Sequence, residues 1–559
     1  MASSRKKAKN TLPVVIVLVV VAALLLIAVL TENRPSSRKI DLEEFFNSRN
    51  GSVAVVRDNV LTHEDFWIEG DAVYTSVSYL QEKLNKRFYF DQAETLLLYT
   101  KPEGTAEADM STLFGGRSVL LQRDGKIYVL LDYVSQFMAM DWTLYKQPQH
   151  LVLKTTYGEE GEILVKERAT VRTEASVSSP ILAVLEIGER VHYLEEQAEW
   201  NYICTADGIP GYVSKKEVSD PNIVTTRSDF MEPVYKTNQL GTTVSIIWQQ
   251  VGYRSDNDRL EELLADAKGI NVISPTWLFL SGSDGKIVSM ADASYVERAH
   301  AMGLKVWVLL NNMNYEIYQD ELCSNFDVTT NRRHLISGIM DTLQACGADG
   351  INIDIESLPA AGGRGFLQFI RELSVACHQL GLTLSVDNYV PSPWTQYYNR
   401  TEQAVFADYV VVMGYDEHYA GSDAGSTASL PFVVQGVEDT LEQVPARQII
   451  WGVPLFTRLW KGSGENLSSV SLRMGEIPSY IEKYQLDPVW NLDLGQYYAE
   501  FKIDGDAVRI WIEDVESMAL RLDTITPYGL AGIAAWRLGM ESREVWAVFE
   551  EYVNNNQIQ

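Results

Sequence analysis

Three polar residues occupy every second position in the stretch "ADGINIDIE", residues 348–356. They are Asn352, Asp354 and Glu356, and an isoleucine precedes each of them. Residues two apart lie on the same face of a β-strand, so the pattern predicts an amide and two carboxyl groups along one face. Burial and neighbouring charge both favour a protonated carboxyl group, which is the form that a general acid needs near neutral pH. Taken alone, the same residues also fit an ordinary strand with one solvated face.

Segments rich in β-branched residues recur from about residue 240 onwards, and segments of helical length separate them. Eight strands that alternate with helices predict a parallel (β/α)8 TIM barrel of the α/β class over residues 240–556. A small insertion is expected after the seventh strand, where 496–514 has the pattern of a hairpin followed by a helix that begins near Asp514. The predicted strands are 243–251, 271–280, 305–312, 350–356, 382–390, 408–419, 449–456 and 529–539.

If residues 350–356 form a barrel strand, the direction of its polar side chains can be predicted. Alternate residues of a barrel strand face the interior, and the others face the surrounding helices. Asn352, Asp354 and Glu356 would then point inwards, while the isoleucines pack beneath the helices. Because Glu356 comes last, its side chain would reach furthest towards the C-terminal mouth, where barrel enzymes keep their chemistry.

The composition excludes several classes of partner and cofactor. The chain is acidic, with a formal net charge of −28, so nucleic acid and anionic lipid are poor partners. Its hydrophobic content of 46% is enough for large folded cores. The 4 cysteines form no CxxC pair and the 7 histidines are scattered, so neither a bound metal nor another cofactor is expected.

Four motifs of the predicted barrel resemble one enzyme family. "DGINIDIE" is similar to the fourth-strand signature DGxDxDxE of the family 18 glycoside hydrolases, the chitinase-like enzymes. "MGYD" (413–416), "WGVPLF" (451–456) and "GLAGIAAWRLG" (529–539) are similar to the sixth, seventh and eighth strands of that family. The sequence resembles above all the branch that lyses cell wall and spore cortex. Asn352 departs from the usual Asp, and we expect its amide to hydrogen-bond the Asp354 carboxylate.

The resemblance implies substrate-assisted catalysis with retention at the anomeric carbon. Glu356 would donate the proton, Asp354 would orient the acetamido group of the substrate, and Tyr415 would hydrogen-bond the acetamido carbonyl. The substrate would need a 2-acetamido sugar, as in peptidoglycan, chitin or certain N-glycans. The residues expected to bind substrate are Asp416, Asn352, Trp536, Trp277 and Trp248.

The N-terminal region predicts where in the cell the protein is located. Residues 12–30 are an uncharged apolar run that would span roughly 28 Å as a helix, which matches a bilayer core. The basic tail 1–11 precedes it, so the positive-inside rule predicts a single-pass protein of the cell membrane with an extracellular catalytic domain. A cleaved signal peptide is the alternative, although this run is longer than a usual apolar signal region and lacks a small-x-small cleavage site.

Two modules are expected between the apolar run and the barrel. Residues 31–157 contain a linker and a weak repeat of 73–91 with 127–145, and this region resembles the N-terminal α+β module of some copper amine oxidases but carries no copper ligands. Residues 160–222 contain short strands punctuated by turns, and "VRTEAS" and "DGIPGYV" resemble bacterial SH3-like domains. That resemblance implies binding to cell-wall peptide, and a passive spacer is the alternative.

The sequence as a whole predicts a membrane-anchored extracellular glycoside hydrolase that cleaves β-1,4 bonds after N-acetylglucosamine, with peptidoglycan as substrate. Two alternatives stay open. One is a chitinase, and the other is a non-catalytic glycan-binding envelope protein built on the same barrel.

Overall fold

The computed structural model describes residue 17 and residues 19–21, 34–46 and 53–557. The chain divides into two compact units, and each combines two segments of sequence. The first unit is formed by Met1–Phe88 and Ala108–Glu232. The second is formed by Tyr89–Glu107 and Pro233–Gln559, so a short piece of the N-terminal region belongs with the barrel.

The predicted membrane anchor is contradicted. A bilayer-spanning helix needs about 20 mostly apolar residues. Within the residues that the structure describes, no helix combines that length with sufficient apolar character. Most of the predicted span 12–30 lies outside the described residues.

The first part of the first unit contains two four-stranded sheets, and both halves of the sequence repeat contribute strands to them. In the first half, the strand Ala72–Ser76 leads into the helical turns Val77–Tyr79 and Leu80–Leu84. In the second half, Lys126–Leu130 leads into the helix Leu131–Val134, and these two repeat strands pair antiparallel. The other elements are Leu42–Phe45, Val53–Arg57, Val60–Glu64, Phe66–Glu69, Leu113–Phe114, Arg117–Ser118, Leu120–Arg123, Asp141–Lys146 and Gln149–Lys154.

The second part of the first unit is a seven-stranded antiparallel sheet. Its buried side chains, such as Val171, Ile203 and Val213, alternate with more exposed ones, which is the pattern of a small β-barrel with one packed face. The strands are Glu159–Leu164, Ala169–Arg172, Ile181–Leu185, Arg190–Gln197, Trp200–Cys204, Pro210–Ser214 and Asn222–Thr225.

The second unit contains the predicted barrel. Eight parallel strands pair in chain order, and the first strand closes the barrel by pairing with the second and the eighth. The predicted strands are confirmed, but the fourth ends at Asp354 and the sixth at Met413, both earlier than expected. The strands are β1 (Val244–Gln249), β2 (Val272–Leu280), β3 (Lys305–Asn311), β4 (Gly350–Asp354), β5 (Thr383–Tyr389), β6 (Tyr409–Met413), β7 (Ile449–Pro454) and β8 (Gly532–Trp536).

Helical segments follow the strands and cover the outside of the barrel. Their apolar residues meet the outward side chains of the strands in one continuous core, which contains all three isoleucines at 351, 353 and 355. A smaller core, with Trp248, Leu309 and Val411, fills the interior. The helical segments are Arg254–Arg259, Leu260–Leu263, Ala293–Ala301, Gln319–Asp327, Thr329–Cys346, Ala360–Gly362, Gly363–Gln379, Pro393–Tyr398, Arg400–Phe406, Leu430–Leu441, Ala446–Gln448, Val515–Ile525, Thr526–Tyr528 and Val545–Asn555.

A five-stranded antiparallel sheet lies between β7 and β8 in the chain. Its last strand leads to a fully buried ion pair, in which Arg521 Nη2 donates to Glu513 Oε2 at 2.9 Å. Asp514 caps the following helix by accepting from the Ser517 N–H. The elements are Phe456–Lys461, Gly464–Asn466, Ser468–Arg473, Met474–Glu476, Ile477–Tyr484, Val489–Asn491, Gln496–Ile503 and Asp506–Ile512, and a short strand Ile287–Ser289 pairs with β2.

The segment 89–107 packs against the outer helices of the barrel. It carries most of a three-stranded sheet formed by Phe88–Asp91, Leu96–Lys101 and Gly104–Ala108. The Asp91 carboxylate accepts from the N–H of Thr329 at 2.6 Å, at the start of the helix Thr329–Cys346. That helix has no capping side chain of its own, so this distant aspartate supplies the cap.

Candidate active site

A cavity of about 160 Å³ opens at the C-terminal ends of the barrel strands. It brings together six of the residues that the sequence singled out, from both ends of the barrel sequence. The lining residues are Trp248, Leu309, Asp354, Glu356, Asp387, Tyr389, Met413, Tyr415, Asp416 and Trp536. Six of these are ionisable acids or phenols within one small space, which is the arrangement expected of a site for proton transfer.

Glu356 lies just beyond the end of β4, where its backbone is held by one side chain from the loop after β3. The Asn312 amide accepts from the Glu356 N–H and donates to the Glu356 carbonyl, both at 2.9 Å. Ser357 then adopts a φ of 54°, a left-handed conformation that turns the chain away. These contacts replace the strand hydrogen bonds and hold the Glu356 carboxyl at the cavity.

The hydroxyl of Tyr389, at the end of β5, donates to Glu356 Oε2 at 2.8 Å. Burial raises the pKa of Glu356 above its usual value, while the hydrogen bond from Tyr389 lowers it and the charge of Asp416 raises it. The net effect of these three contributions is a raised pKa of Glu356. Glu356 is therefore protonated over a wider pH range than an exposed glutamate, as a proton donor requires.

Asp354 lies one strand repeat below Glu356, and its Oδ1 is buried without a hydrogen-bond partner among the described residues. Burial raises the pKa of Asp354 well above its usual value, and the nearby Asp387 and Glu356 raise it further. An unpaired buried oxygen is costly to the protein. At the wall of a cavity, that oxygen is available to accept a hydrogen bond from a ligand.

Asn352 lies beneath the cavity and does not line it. The Trp248 indole can only donate, and it donates to Asn352 Oδ1 at 2.8 Å, which fixes the orientation of the amide. Asn352 Nδ2 therefore donates to Asp387 Oδ1 at 2.6 Å and to Ser385 Oγ at 3.0 Å. The expected bond from Asn352 to Asp354 is not present, and a direct contact of Asn352 with substrate is ruled out by its complete burial.

Asp387 is the partner that the sequence interpretation missed. Burial raises the pKa of Asp387 to about 8, the hydrogen bond from Asn352 lowers it, and the charge of Glu356 raises it. Asp387 therefore stays protonated to higher pH than an exposed aspartate. A neutral Asp387 limits the negative charge that accumulates around Asp354 and Glu356.

Tyr415 and Asp416 follow β6 and line the same cavity. A side chain on Gly414 would come within 2.3 Å of the Trp451 indole, so only glycine permits this close packing just before Tyr415. The Tyr415 ring packs edge-on against Phe456, with ring centres 6.2 Å apart. Arg458 Nη2 donates to Asp416 Oδ1 at 2.8 Å and so holds that carboxylate at the rim.

Two of the three predicted tryptophans reach the cavity. Trp536, at the end of β8, is half-buried there, and its ring centre lies 6.0 Å from that of Trp248 in an edge-on arrangement. Trp277 is fully buried in the outer core, where its Nε1 donates to Asn257 Oδ1 at 2.9 Å and its ring packs against Tyr295. This placement corrects the prediction that Trp277 binds substrate.

The residues that sequence reasoning missed are Asp387, Tyr389 and Asn312. A signal for two of them was present, because "TLSVDNY" on β5 alternates polar and apolar residues in the same way as β4. Ser385 and Asp387 therefore share the inward face with Tyr389. Asn312 lies in a loop without any motif, and its role follows only from its contacts with the backbone of Glu356.

The chain belongs to the family described as Glycosyl hydrolases family 18, whose sequence profile matches residues 250–541. The profile of the bacterial SH3 domain matches residues 167–219. These matches confirm the resemblances that were drawn from the barrel motifs and from the short strands before the barrel.

Two relatives from Bacillus subtilis (strain 168) match parts of the chain. YdhD, provisionally named a sporulation-specific glycosylase, is 29% identical over 226 residues, which are 37% of this chain and 51% of that protein. The chain thus spans about half the length of this relative. A cortical fragment-lytic enzyme is 21% identical over 314 residues, which are 53% of this chain and 72% of that enzyme.

Among solved structures, a chitinase from Chromobacterium violaceum ATCC 12472 superimposes with a TM-score of 0.51 at 22% identity. The match covers 56% of this chain and 99% of the chitinase chain. At this level of identity the comparison shows that the barrel fold is shared.

Proposed function

We propose that the chain is a retaining glycoside hydrolase that cleaves β-1,4 bonds after N-acetylglucosamine in peptidoglycan. The observation that carries the proposal is the unpaired, buried Oδ1 of Asp354 at the wall of a cavity that also holds Glu356. A substrate with an acetamido N–H would satisfy that oxygen. Membership of the family 18 hydrolases supports the same chemistry.

In the proposed mechanism, Glu356 donates its proton to the glycosidic oxygen. The carbonyl oxygen of the substrate's own acetamido group attacks the anomeric carbon while the bond to the glycosidic oxygen breaks. The protonated leaving sugar departs as an alcohol, and an oxazolinium intermediate remains. Asp354 accepts the acetamido N–H and stabilises the positive charge that develops. In the second step Glu356, now ionised, takes a proton from water while the water oxygen bonds to the anomeric carbon and the bond from that carbon to the acetamido oxygen breaks. The product therefore keeps the original anomeric configuration.

The remaining residues of the cavity position the sugar. Tyr415 would donate its hydroxyl to the acetamido carbonyl, because burial and the acids around it raise its pKa and keep it protonated. Trp536 offers an apolar surface for the sugar ring beside Trp248. Asp416, held by Arg458, would accept a sugar hydroxyl at the rim.

Two observations favour peptidoglycan over chitin. The SH3 domain of residues 167–219 belongs to a bacterial family, and we propose that it binds cell-wall peptide. The names of two relatives refer to sporulation and to lysis of cortical fragments. The resemblance of residues 31–157 to the copper amine oxidase module stays a prediction, as does its role as a binding module or spacer.

The test compares the full chain with Glu356→Gln on purified peptidoglycan. We expect the full chain to release reducing ends and the variant to lose about 10²–10⁴-fold in rate, because the proton donor is missing. Glu465→Gln changes an exposed glutamate outside the cavity and is the matched control. Equal rates for the full chain and Glu356→Gln would refute the mechanism.

The same preparation separates the alternatives. Chitin oligosaccharides digested beside wall glycans distinguish a chitinase from a peptidoglycan hydrolase. Binding without hydrolysis of either glycan would indicate a non-catalytic barrel. Proton NMR of the first product would show the retained anomer if the acetamido group is the nucleophile.

A further inference from the structure

A second cavity, of about 180 Å³, lies beside the catalytic one and carries three arginines. Arg259 ends the helical segment 254–259, Arg473 ends the strand 468–473, and Arg537 follows β8 directly. We call this cavity the arginine pocket. Its lining residues are Gln249, Gln250, Asp256, Arg259, Leu263, Arg473, Arg537, Leu538 and Gly539.

The arginine pocket adjoins the hydrolytic cavity at two points of the chain. At the end of β8, Trp536 lines the catalytic cavity and Arg537 lines the arginine pocket. At the end of β1, Trp248 lines the catalytic cavity and Gln249 lines the arginine pocket. Consecutive residues therefore line the two cavities at the C-terminal ends of both strands. A sugar bound over Trp536 would therefore have its neighbour within reach of the pocket.

The charges of the arginine pocket are only partly neutralised by the protein. Arg259 is paired with Glu262, at 3.1 Å, and Arg473 lies 4.0 Å from Glu476. Arg537 has no carboxylate partner in the part of the chain that the structure describes.

The surroundings of Arg537 leave its positive charge without compensation. Burial lowers the pKa of Arg537, and the like charge of Arg473 lowers it further. The one carboxylate in the pocket, Asp256, already accepts from the N–H groups of Gly252 and Tyr253 at 2.9 Å each.

Two guanidinium groups that repel one another are stabilised by an anion between them. A planar guanidinium binds a carboxylate through two parallel hydrogen bonds, which makes arginine the usual partner of that group. The whole chain has a net charge of −28, so this positive pocket stands out against an acidic protein.

We propose that the arginine pocket binds a carboxylate carried by the sugar next to the hydrolysed N-acetylglucosamine. The inference rests on the proposed function and refines its substrate class. Alternate sugars of peptidoglycan carry a lactyl ether, whose carboxylate is either free or linked to a stem peptide with carboxylates of its own. Chitin carries no such group, so the pocket would select wall glycan over chitin.

Three substrates distinguish the sources of the carboxylate. Chitin oligosaccharides are neutral, wall glycan strands freed of peptide carry the lactyl carboxylate, and intact strands carry the carboxylates of the peptide. Steady-state rates of the full chain are compared with Arg537→Gln and Arg473→Gln. Arg543→Gln is the control, because Arg543 is an exposed arginine paired with Asp266 outside the pocket.

We expect Arg537→Gln to raise KM about tenfold or more on one of the two wall substrates and to leave chitin oligosaccharides unchanged. The wall substrate that shows the effect identifies the source of the carboxylate. Arg473→Gln should act in the same direction, and Arg537→Lys should restore part of the loss because it keeps the charge without the planar fork. Thermal unfolding of each variant monitors its folding.

Unchanged KM on both wall substrates, or an equal loss on neutral and anionic substrates, would overturn the inference while the proposed hydrolase stands. Failure of the full chain on every glycan would instead refute the proposed function. In that case calorimetric binding of peptide-free strands still tests the pocket. Equal affinities of the full chain and Arg537→Gln would refute it, and weaker binding by the variant would support it.

Discussion

The hydroxyl of Tyr389 is predicted to set the pH range over which Glu356 can donate its proton. This hydroxyl donates to Glu356 Oε2 at 2.8 Å, a bond that favours the ionised carboxylate and so lowers the pKa of Glu356. In Tyr389→Phe that stabilisation is lost, and the pKa of Glu356 rises. Since Glu356 must be protonated for the first step, the variant should stay active to higher pH.

The size of the effect follows from the strength of that bond. A hydrogen bond to a charged group contributes about 1.5–3 kcal/mol, and one pH unit corresponds to about 1.4 kcal/mol. The alkaline limb of kcat/KM should therefore move upwards by about 1–2 pH units. The limb reports the proton donor of the free enzyme, so binding of substrate does not obscure it.

The assay is the release of reducing ends from wall glycan strands, followed from pH 4 to pH 10 for the full chain and for Tyr389→Phe. Tyr398→Phe is the control, because Tyr398 is also a phenol, more deeply buried than Tyr389, and donates to the Ile355 carbonyl at 2.9 Å instead of to a carboxylate. That variant should leave the limb in place. An alkaline limb that stays fixed or moves downwards in Tyr389→Phe would show that the hydroxyl does not control Glu356.

Three further outcomes follow from the structure. Asp354→Asn should lower kcat about 10²–10³-fold with normal thermal unfolding, because an amide, unlike the Asp354 carboxyl group, cannot ionise to offset the positive charge of the intermediate; initial rates on wall glycan check this. Asn312→Ala should lower kcat about tenfold by releasing the backbone of Glu356, and unchanged kcat would refute the positioning role. Arg521→Ala should destabilise the fold by about 3–5 kcal/mol in urea unfolding, because Glu513 would remain buried without its partner.

The strands of the barrel and the acids of β4 could be predicted because both depend on local patterns. β-branched runs separated by helical segments predict parallel strands, and the alternation of "INIDIE" predicts which side chains face inwards. Once the strands close into a barrel, Asp354 and Glu356 must approach the ends of the other strands. Tyr415, Asp416 and Trp536 line the cavity because their motifs lie at the ends of strands β6 and β8.

Contacts between strands could not be predicted in the same way. Asn352 was expected to bond Asp354 within its own strand, but neighbours two apart on one strand are about 6.6 Å apart, and Asp387 on the next strand is closer. Trp277 was placed at the cavity because it lies near the end of β2. Trp277 lies four residues after Ile273 on β2, so the alternation of a strand puts both side chains on the same face. Ile273 faces the helices, and this indicates that Trp277 belongs to the outer core.

Because Asp91 caps the helix that begins at Thr329, the barrel cannot be excised by one cut in the sequence. A fragment that starts near residue 240 would lose this cap, together with the bond from Gln368 to the Thr100 hydroxyl at 3.0 Å. Loss of a helix cap alone costs about 1 kcal/mol. Gene fragments for crystallisation or directed evolution of the hydrolytic domain should therefore retain the stretch 89–107, and a permuted chain that joins it to the barrel would keep both contacts.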